Sequence, residues 1–326
     1  MTQSVPNANT SRRRFFSTAA ATGVATLALG SQATPNARAQ GSPNSPLPSV
    51  RYCLNTSTIH GQEIDFIDQI NIAADAGYDG IEIWLRDVEK FVQSGGNLVA
   101  ARDLLSERNL KVESAIAFAK WIVDDDAERE EGMRVAARDM DVVRRLGGHR
   151  IAAPPIGATN GNELDLDQVA QRYAQLCDLG RRYDVVPQLE VWGFSKNLSK
   201  LSEVLYVLAE SKHVDACLLP DVYHLYKGGS NFVDLQLVNP SKIHVFHMND
   251  YPLAKPIADI GDADRVYPTD GNAPLTAILG GLFDGGFQGV LSLELFNRSY
   301  WELDPLDVAK TGLAKMKAAV ANATTA

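Results

Sequence analysis

The run Val185-Val-Pro-Gln-Leu-Glu190 is short, apolar and closed by a carboxylate, and the same construction returns three times downstream. The later runs are Ala216-Cys-Leu-Leu-Pro-Asp221, Ile243-His-Val-Phe-His247 and Val290-Leu-Ser-Leu-Glu294, with helix-like sequence between them. A buried strand that ends in a charged or imidazole side chain is costly unless that group has a partner, because the group loses its hydration. One such residue alone reads as a helix cap or half of a salt bridge. Four in succession, Glu190, Asp221, His247 and Glu294, point to a shared partner. Three oxygen ligands and one nitrogen suit a single divalent cation such as Mn²⁺, Zn²⁺, Co²⁺ or Mg²⁺, with positions left for substrate.

Working outward, short β-branched runs alternate with amphipathic stretches of ten to twenty residues, the pattern of repeated βα units. The strands expected are 50–55, 80–85, 111–118, 149–153, 185–192, 216–220, 243–248 and 289–295. Helices are expected over 64–76, 98–108, 127–146, 167–183, 200–211 and 273–282, several followed by a glycine stop such as Ala76-Gly77-Tyr78 or Leu146-Gly147-Gly148. Eight alternating units fit an α/β fold of the (β/α)₈ TIM-barrel type, in which the C-terminal strand ends converge on one site. No Gly-x-Gly-x-x-Gly follows the first strand, which removes the main support for a dinucleotide-binding sheet. On this count the four residues end strands 5 to 8, so the second half of the barrel would build the metal site. Strands 1 to 4 would then supply the substrate wall, with Asn55, Thr56, His60, Glu82, Trp84 and Trp121 as candidates; a tryptophan packed under a loop is the competing reading.

The chain has 326 residues, of which 45% are hydrophobic, a length normal for one large α/β domain. Its formal net charge of −9 argues against a nucleic-acid partner, since phosphate binding needs a basic surface. Residues 1–39 read as a targeting segment. Ser11-Arg12-Arg13-Arg14-Phe15-Phe16 resembles the twin-arginine export signal, an apolar stretch runs from Thr18 to Gly30, and Ala37-Arg38-Ala39 fits a small-x-small cleavage site. That stretch falls well short of the roughly 20 residues that span a bilayer, so no membrane partner is expected once the signal is removed. Cleavage after Ala39 would take away four arginines and no acid, leaving 27 of the 31 basic residues against all 40 acidic ones. A linker over 40–49 and a single catalytic barrel over 50–326 would follow, the expected location being periplasmic or extracytoplasmic. Cys53, Cys177 and Cys217 show no close spacing and read as core residues.

At the strand ends the chain resembles the xylose isomerase-like superfamily of sugar isomerases and epimerases, and within it the inosose isomerases. Asp221-Val-Tyr-His224 matches an Asp-x-x-His pattern, His247-Met-Asn-Asp250 a His-x-x-Asp pattern, and Asp264-Arg265-Val-Tyr-Pro268 stands where Asp-Arg-x-x-Pro-Gly is usual. Leu293-Glu294-Leu-Phe296 with Tyr300 completes the set. Two departures concern the substrate side: Pro268-Thr269-Asp270-Gly271 replaces Pro-Gly-x-Gly, and Asn55-Thr56-Ser57 stands where an acidic residue is carried.

The resemblance implies one divalent metal held by Glu190, Asp221, His247 and Glu294, and a small keto-sugar or keto-polyol as substrate. It implies isomerisation or epimerisation by enediolate proton transfer, with Glu190 and Glu294 serving both as ligands and as the acid and base. His224 would bind a substrate hydroxyl or shuttle a proton, against the plainer role of ordering the turn before Gly228-Gly229. Arg265 would hold the developing oxyanion, against a plain salt bridge to Asp262 or Asp264. Asp250 would orient the imidazole of His247. Three rival functions use the same sequence differently. A lyase, dehydratase or hydrolase of 3-keto-glycosides needs the same deprotonation, and a non-catalytic sugar-binding protein needs only the metal. The endonuclease branch needs more histidines than the six present and a basic groove.

Overall fold

The computed structural model describes residues 49–325. The expected export signal and cleavage site, and nearly all of the linker, lie outside them.

Eight parallel strands alternate with helices and curl into a (β/α)₈ barrel whose ladders fall into two groups. The strands are β1 (Arg51–Asn55), β2 (Gly80–Trp84), β3 (Lys111–Ile116), β4 (Arg150–Ala153), β5 (Val186–Glu190), β6 (Leu218–Leu219), β7 (Val245–Met248) and β8 (Val290–Leu293). The helices are α1 (Phe66–Ala76), α2 (Leu85–Gln93), α3 (Leu98–Glu107), α4 (Asp126–Arg145), α5 (Leu166–Tyr183), α6 (Leu201–Glu210), α7 (Val222–Lys227), α8 (Leu275–Asp284) and α9 (Pro305–Thr325). None of these helices is long and apolar enough to cross a membrane. All eight expected strands form, each shorter than its sequence run and β6 reduced to Leu218–Leu219.

Ladders join β3-β2-β1-β8-β7 on one side and β4-β5-β6 on the other. Bridges Leu218 with Ile243 and Asp221 with His247 join β6 to β7, helped by His247 N–H donating to Pro220 O at 2.9 Å. β6 is short because Pro220 has no N–H to extend a ladder. Its carbonyl still accepts, which keeps the end of β6 against β7.

Register decides which side chains share a layer inside the barrel. Asn55 pairs with Glu82 across β1 and β2, while Ser292 pairs with Cys53 on one side and His247 on the other. An irregularity between Ile81 and Glu82 shifts the β2–β3 register at that point. Such bulges re-aim a side chain and gather near functional sites.

The helices are held by ordinary sequence devices. Asp65, Asn97, Asp125 and Asp165 cap α1, α3, α4 and α5 by accepting backbone N–H bonds near each start. Gly77 ends α1 at φ 90°, a left-handed conformation that glycine adopts without penalty. The three cysteines are free and buried, as the sequence implied.

Candidate functional site

Glu190 is the last residue of β5, Asp221 follows β6 by one residue beyond Pro220, His247 lies in β7 and Glu294 follows β8 directly. All four are buried. Ligand atoms of Asp221, His247 and Glu294 lie within 4.8 Å of one another. His247 Nδ1 stands 3.2 Å from Glu294 Oε2, 3.8 Å from Asp221 Oδ2 and 3.9 Å from Glu190 Oε1. Thus three residues form a compact cluster and Glu190 flanks it through His247. Neither ring nitrogen of His247 has a hydrogen-bond partner, although three carboxylates surround Nδ1. Such a donor set fits a divalent metal.

Asp221 serves two purposes with its two oxygens. Oδ1 accepts His224 N–H at 2.7 Å and caps α7, while Oδ2 faces the cluster and accepts from Asn249 Nδ2 at 2.8 Å. Close packing fixes this region: a Cβ on Gly193 would strike the carbonyl of His224, and one on Gly228 the carbonyl of Ser199. The loop after β5 and helix α7 can therefore approach only as glycine backbone.

Arg265 lies buried across the cluster. Its Nη1 donates to Glu294 Oε2 at 2.7 Å and to Asp221 Oδ2 at 3.1 Å, and Nη2 donates to Asp262 Oδ1 at 2.6 Å and to His224 Nε2 at 3.1 Å. Asp262 is thus its salt-bridge partner, whereas Asp264 pairs with Lys255. Because His224 Nε2 accepts from Arg265, its proton sits on Nδ1, which is buried without a partner.

The environment drives the ionisable groups apart. Burial pushes the Glu190 carboxyl up to about 8, opposed by the charge of His247 and assisted by that of Glu294. Burial alone would raise Glu294 too, yet the charges of His247 and Arg265 outweigh it and hold this carboxylate well below its usual range. Asp221 is pushed by burial to about 6 against the pull of Arg265. His247 is held protonated well above the ordinary imidazole range, since Glu294 and Glu82 overcome the cost of its burial. His224 goes the other way, kept neutral by burial and by Arg265.

Three expectations need correction. Asp250 does not orient His247: its carboxylate accepts backbone N–H groups of Tyr251, Thr269, Gly271 and Ala273 at 2.7–3.1 Å and organises the loop after β7. The chain turns away after Met248, so residue 250 faces that loop. The carboxylate beside the other ring nitrogen of His247 is Glu82, whose Oε2 lies 3.0 Å from Nε2 as an ion-pair contact outside hydrogen-bond geometry.

The substrate-wall assignment also changes, because Asn55 and Glu82 are buried beside the cluster. Asn55 Nδ2 donates to Glu82 Oε2 at 3.0 Å and Glu294 Oε1 at 3.1 Å, and Ser292 Oγ donates to Glu82 Oε2 at 2.7 Å. The site is therefore not confined to the second half of the barrel. An acid at position 55 would face two carboxylates; the amide donates to both. Third, Trp121 is buried against Tyr173 and donates from Nε1 to Pro154 O at 3.0 Å, so it is core. Trp84 and His60 remain at the mouth, 6.2 Å apart and nearly parallel, while Thr56 is buried.

The chain belongs to the xylose isomerase-like TIM barrel family, whose model matches residues 70–319. It is 25% identical to an inosose isomerase of Bacillus velezensis over 83% of this chain and 97% of that protein. A 3-dehydroshikimate dehydratase of Pseudomonas aeruginosa is 23% identical over 72% of this chain and 36% of its own length. Among solved structures, the IOLI protein with a zinc atom superposes with a TM-score of 0.77 at 22% identity, over 83% of this chain and 98% of that one. Fold, family and buried cluster together define a sugar isomerase/epimerase-like barrel with residues suited to a divalent metal.

Proposed function

We propose that this protein is a divalent-metal-dependent isomerase or epimerase of a small keto-sugar or keto-polyol. The observation that carries the reading is the buried cluster of Asp221, His247 and Glu294 with Glu190 alongside. These four residues would hold the metal, and the zinc in the IOLI structure supports Zn²⁺ among Mn²⁺, Co²⁺ and Mg²⁺. A divalent ion bound there would act as a Lewis acid toward a carbonyl and its neighbouring hydroxyl.

The protein's own groups supply the proton transfers. Glu190 and Glu294 have opposed protonation tendencies, the arrangement that separates an acid from a base. Glu294, kept ionised, abstracts the proton beside the carbonyl, and Glu190 returns one on the other side of the substrate. Arg265 retains one N–H without a partner, at Nε, as a donor to a substrate oxygen. His224 offers its Nδ1–H to a hydroxyl. The inosose isomerase relatives support a keto-polyol substrate.

A second reading, loss of a group β to the carbonyl after the same deprotonation, draws support from the dehydratase relative. Incubating the metal-loaded protein with keto-inositols and keto-sugars in D₂O separates the two. Isomerisation exchanges a carbon-bound proton at constant carbon skeleton and mass otherwise, elimination releases water or a fragment, and no exchange with any substrate would sink both. The place of action we propose is outside the cytoplasm, supported by Arg12-Arg13 and the Ala37-Arg38-Ala39 site. Mass spectrometry of the secreted protein should find Gln40 at its N-terminus; an intact leader on a cytoplasmic protein would contradict this.

A further inference from the structure

Beside the polar cluster, the mouth of the barrel carries an arc of aromatic rings. Phe296 follows Glu294 by two residues, Trp192 follows Glu190 by two, and Trp84 ends β2. Successive ring centroids are 5.8 Å apart for Phe296 and Trp84, 5.4 Å for Trp84 and Phe118, 6.4 Å for Phe118 and Trp192, and 5.1 Å for Trp192 and Phe194. The arc is continuous with the site at both ends. Phe296 lies 5.0 Å from the Arg265 guanidinium, and Phe194 lies 5.5 Å from the His224 ring. Next to Phe296, Trp84 Nε1 donates to Asn55 Oδ1, and the Asn55 amide in turn donates to Glu294.

Trp84 is buried and Trp192 and Phe296 are half-buried, whereas Phe118 and Phe194 are 39% and 45% exposed. Apolar rings left at the surface beside a polar site mark a contact surface. Flat apolar faces stack on the C–H face of a sugar ring or on an aryl ring. A ring whose carbonyl sits at the cluster lies along the arc, and the exposed parts of Phe118 and Phe194 are left for whatever extends outward from that ring.

We infer that Phe118 and Phe194 form a subsite for a second ring, making the substrate a keto-glycoside that carries a glycosyl or aryl group rather than a free keto-polyol. This rests on the keto-sugar reading above. The subsite binds by stacking, and no bond to the second ring need break for it to act.

Binding can be tested without turnover. The metal-loaded protein is titrated calorimetrically with methyl β-D-glucoside, phenyl β-D-glucoside and cellobiose, none of which presents the ketone needed for reaction. Roughly tenfold tighter binding of a two-ring ligand than of methyl glucoside is expected, lost in Phe118→Ala/Phe194→Ala and in the corresponding Leu pair. Comparing the phenyl and cellobiose arms tells an aryl second ring from a glycosyl one. Equal or undetectable binding of both two-ring ligands, or a preference that survives in the variants, overturns the inference. Failure of D₂O exchange would instead overturn the isomerase reading, whatever these titrations show.

Discussion

Glu82 Oε2 lies 3.0 Å from His247 Nε2, on the side of the imidazole opposite the carboxylate cluster. A carboxylate behind a ligating histidine fixes the ring's orientation and strengthens its donor nitrogen. Asn55 and Ser292 hold Glu82 in turn, so three strands support one imidazole.

Glu82→Gln should therefore weaken metal binding about tenfold to a hundredfold while leaving Asp221, His247 and Glu294 in place. Competition against a chelating fluorophore measures it. An affinity equal to that of the unaltered protein would remove Glu82 from the metal centre.

Metal binding should depend on pH through His247. Its proton is held well above the ordinary imidazole range by Glu294 and Glu82, against the effect of burial. An incoming metal must displace that proton together with the one burial holds on Glu190, so affinity should climb with pH through the neutral range, by roughly tenfold per unit for each proton released. Calorimetry in two buffers of different ionisation enthalpy counts the protons directly, and in Glu190→Gln the His247 proton should remain. A pH-independent affinity in that variant would mean that His247 is not the ligand.

The two glutamates should separate in their effects. Glu294 belongs to the compact cluster, whereas Glu190 stands beside it, 3.9 Å from His247 Nδ1. Both Glu190→Gln and Glu294→Gln should lower proton exchange in D₂O by at least about a hundredfold. Both should also weaken metal binding, Glu294→Gln the more strongly because Glu294 belongs to the compact cluster. Unchanged exchange in both variants would rule out the acid–base assignment.

These predictions depend on contacts that the sequence showed unevenly. Glu190, Asp221, His247 and Glu294 were legible because an apolar run ending in an ionisable group is anomalous in any one strand. Glu82 and Asn55 sit inside or at the end of ordinary strands, and their role depends on register between strands, which sequence periodicity does not encode. The irregularity at Ile81 and Glu82 is likewise a property of the pair. Asp250 misled through its place in the His247-Met-Asn-Asp motif, since spacing along a chain does not say where the chain turns. Helix α2 begins at Leu85 directly after Trp84, which supplies no side-chain cap, so no start signal exists. Helix α9, also absent from the expected helices, does carry one, Asp304 accepting from Leu306 N and Asp307 N around Pro305.

Away from the site, Asp139 on α4 offers a stability test. Burial raises its carboxyl to about 6, with Arg138 opposing and Glu89 adding to the shift. The folded state holds that proton more tightly than the unfolded chain, so stability should fall as pH rises from the ordinary carboxylate range through about 6. Asp139→Asn should remove a penalty on the order of 2 kcal/mol near neutral pH and little below about pH 4. Thermal unfolding at both pH values tests this, and equal effects at both would refute it.

Arg265 is the group whose loss should couple stability to metal most directly. It donates to Asp221 and Glu294 from one nitrogen and to Asp262 from another, and Arg265, Asp221 and Glu294 are all buried. Removing one partner of a buried ionic set leaves unpaired charge, which costs about 3–5 kcal/mol. Arg265→Ala should accordingly lower the melting temperature of the metal-free protein by on the order of 10 °C. A divalent cation offers the same carboxylates a replacement charge, so added metal should raise the variant's melting temperature by more than it raises that of the unaltered protein. An equal rise in both proteins would mean that Arg265 and the metal do not share Asp221 and Glu294.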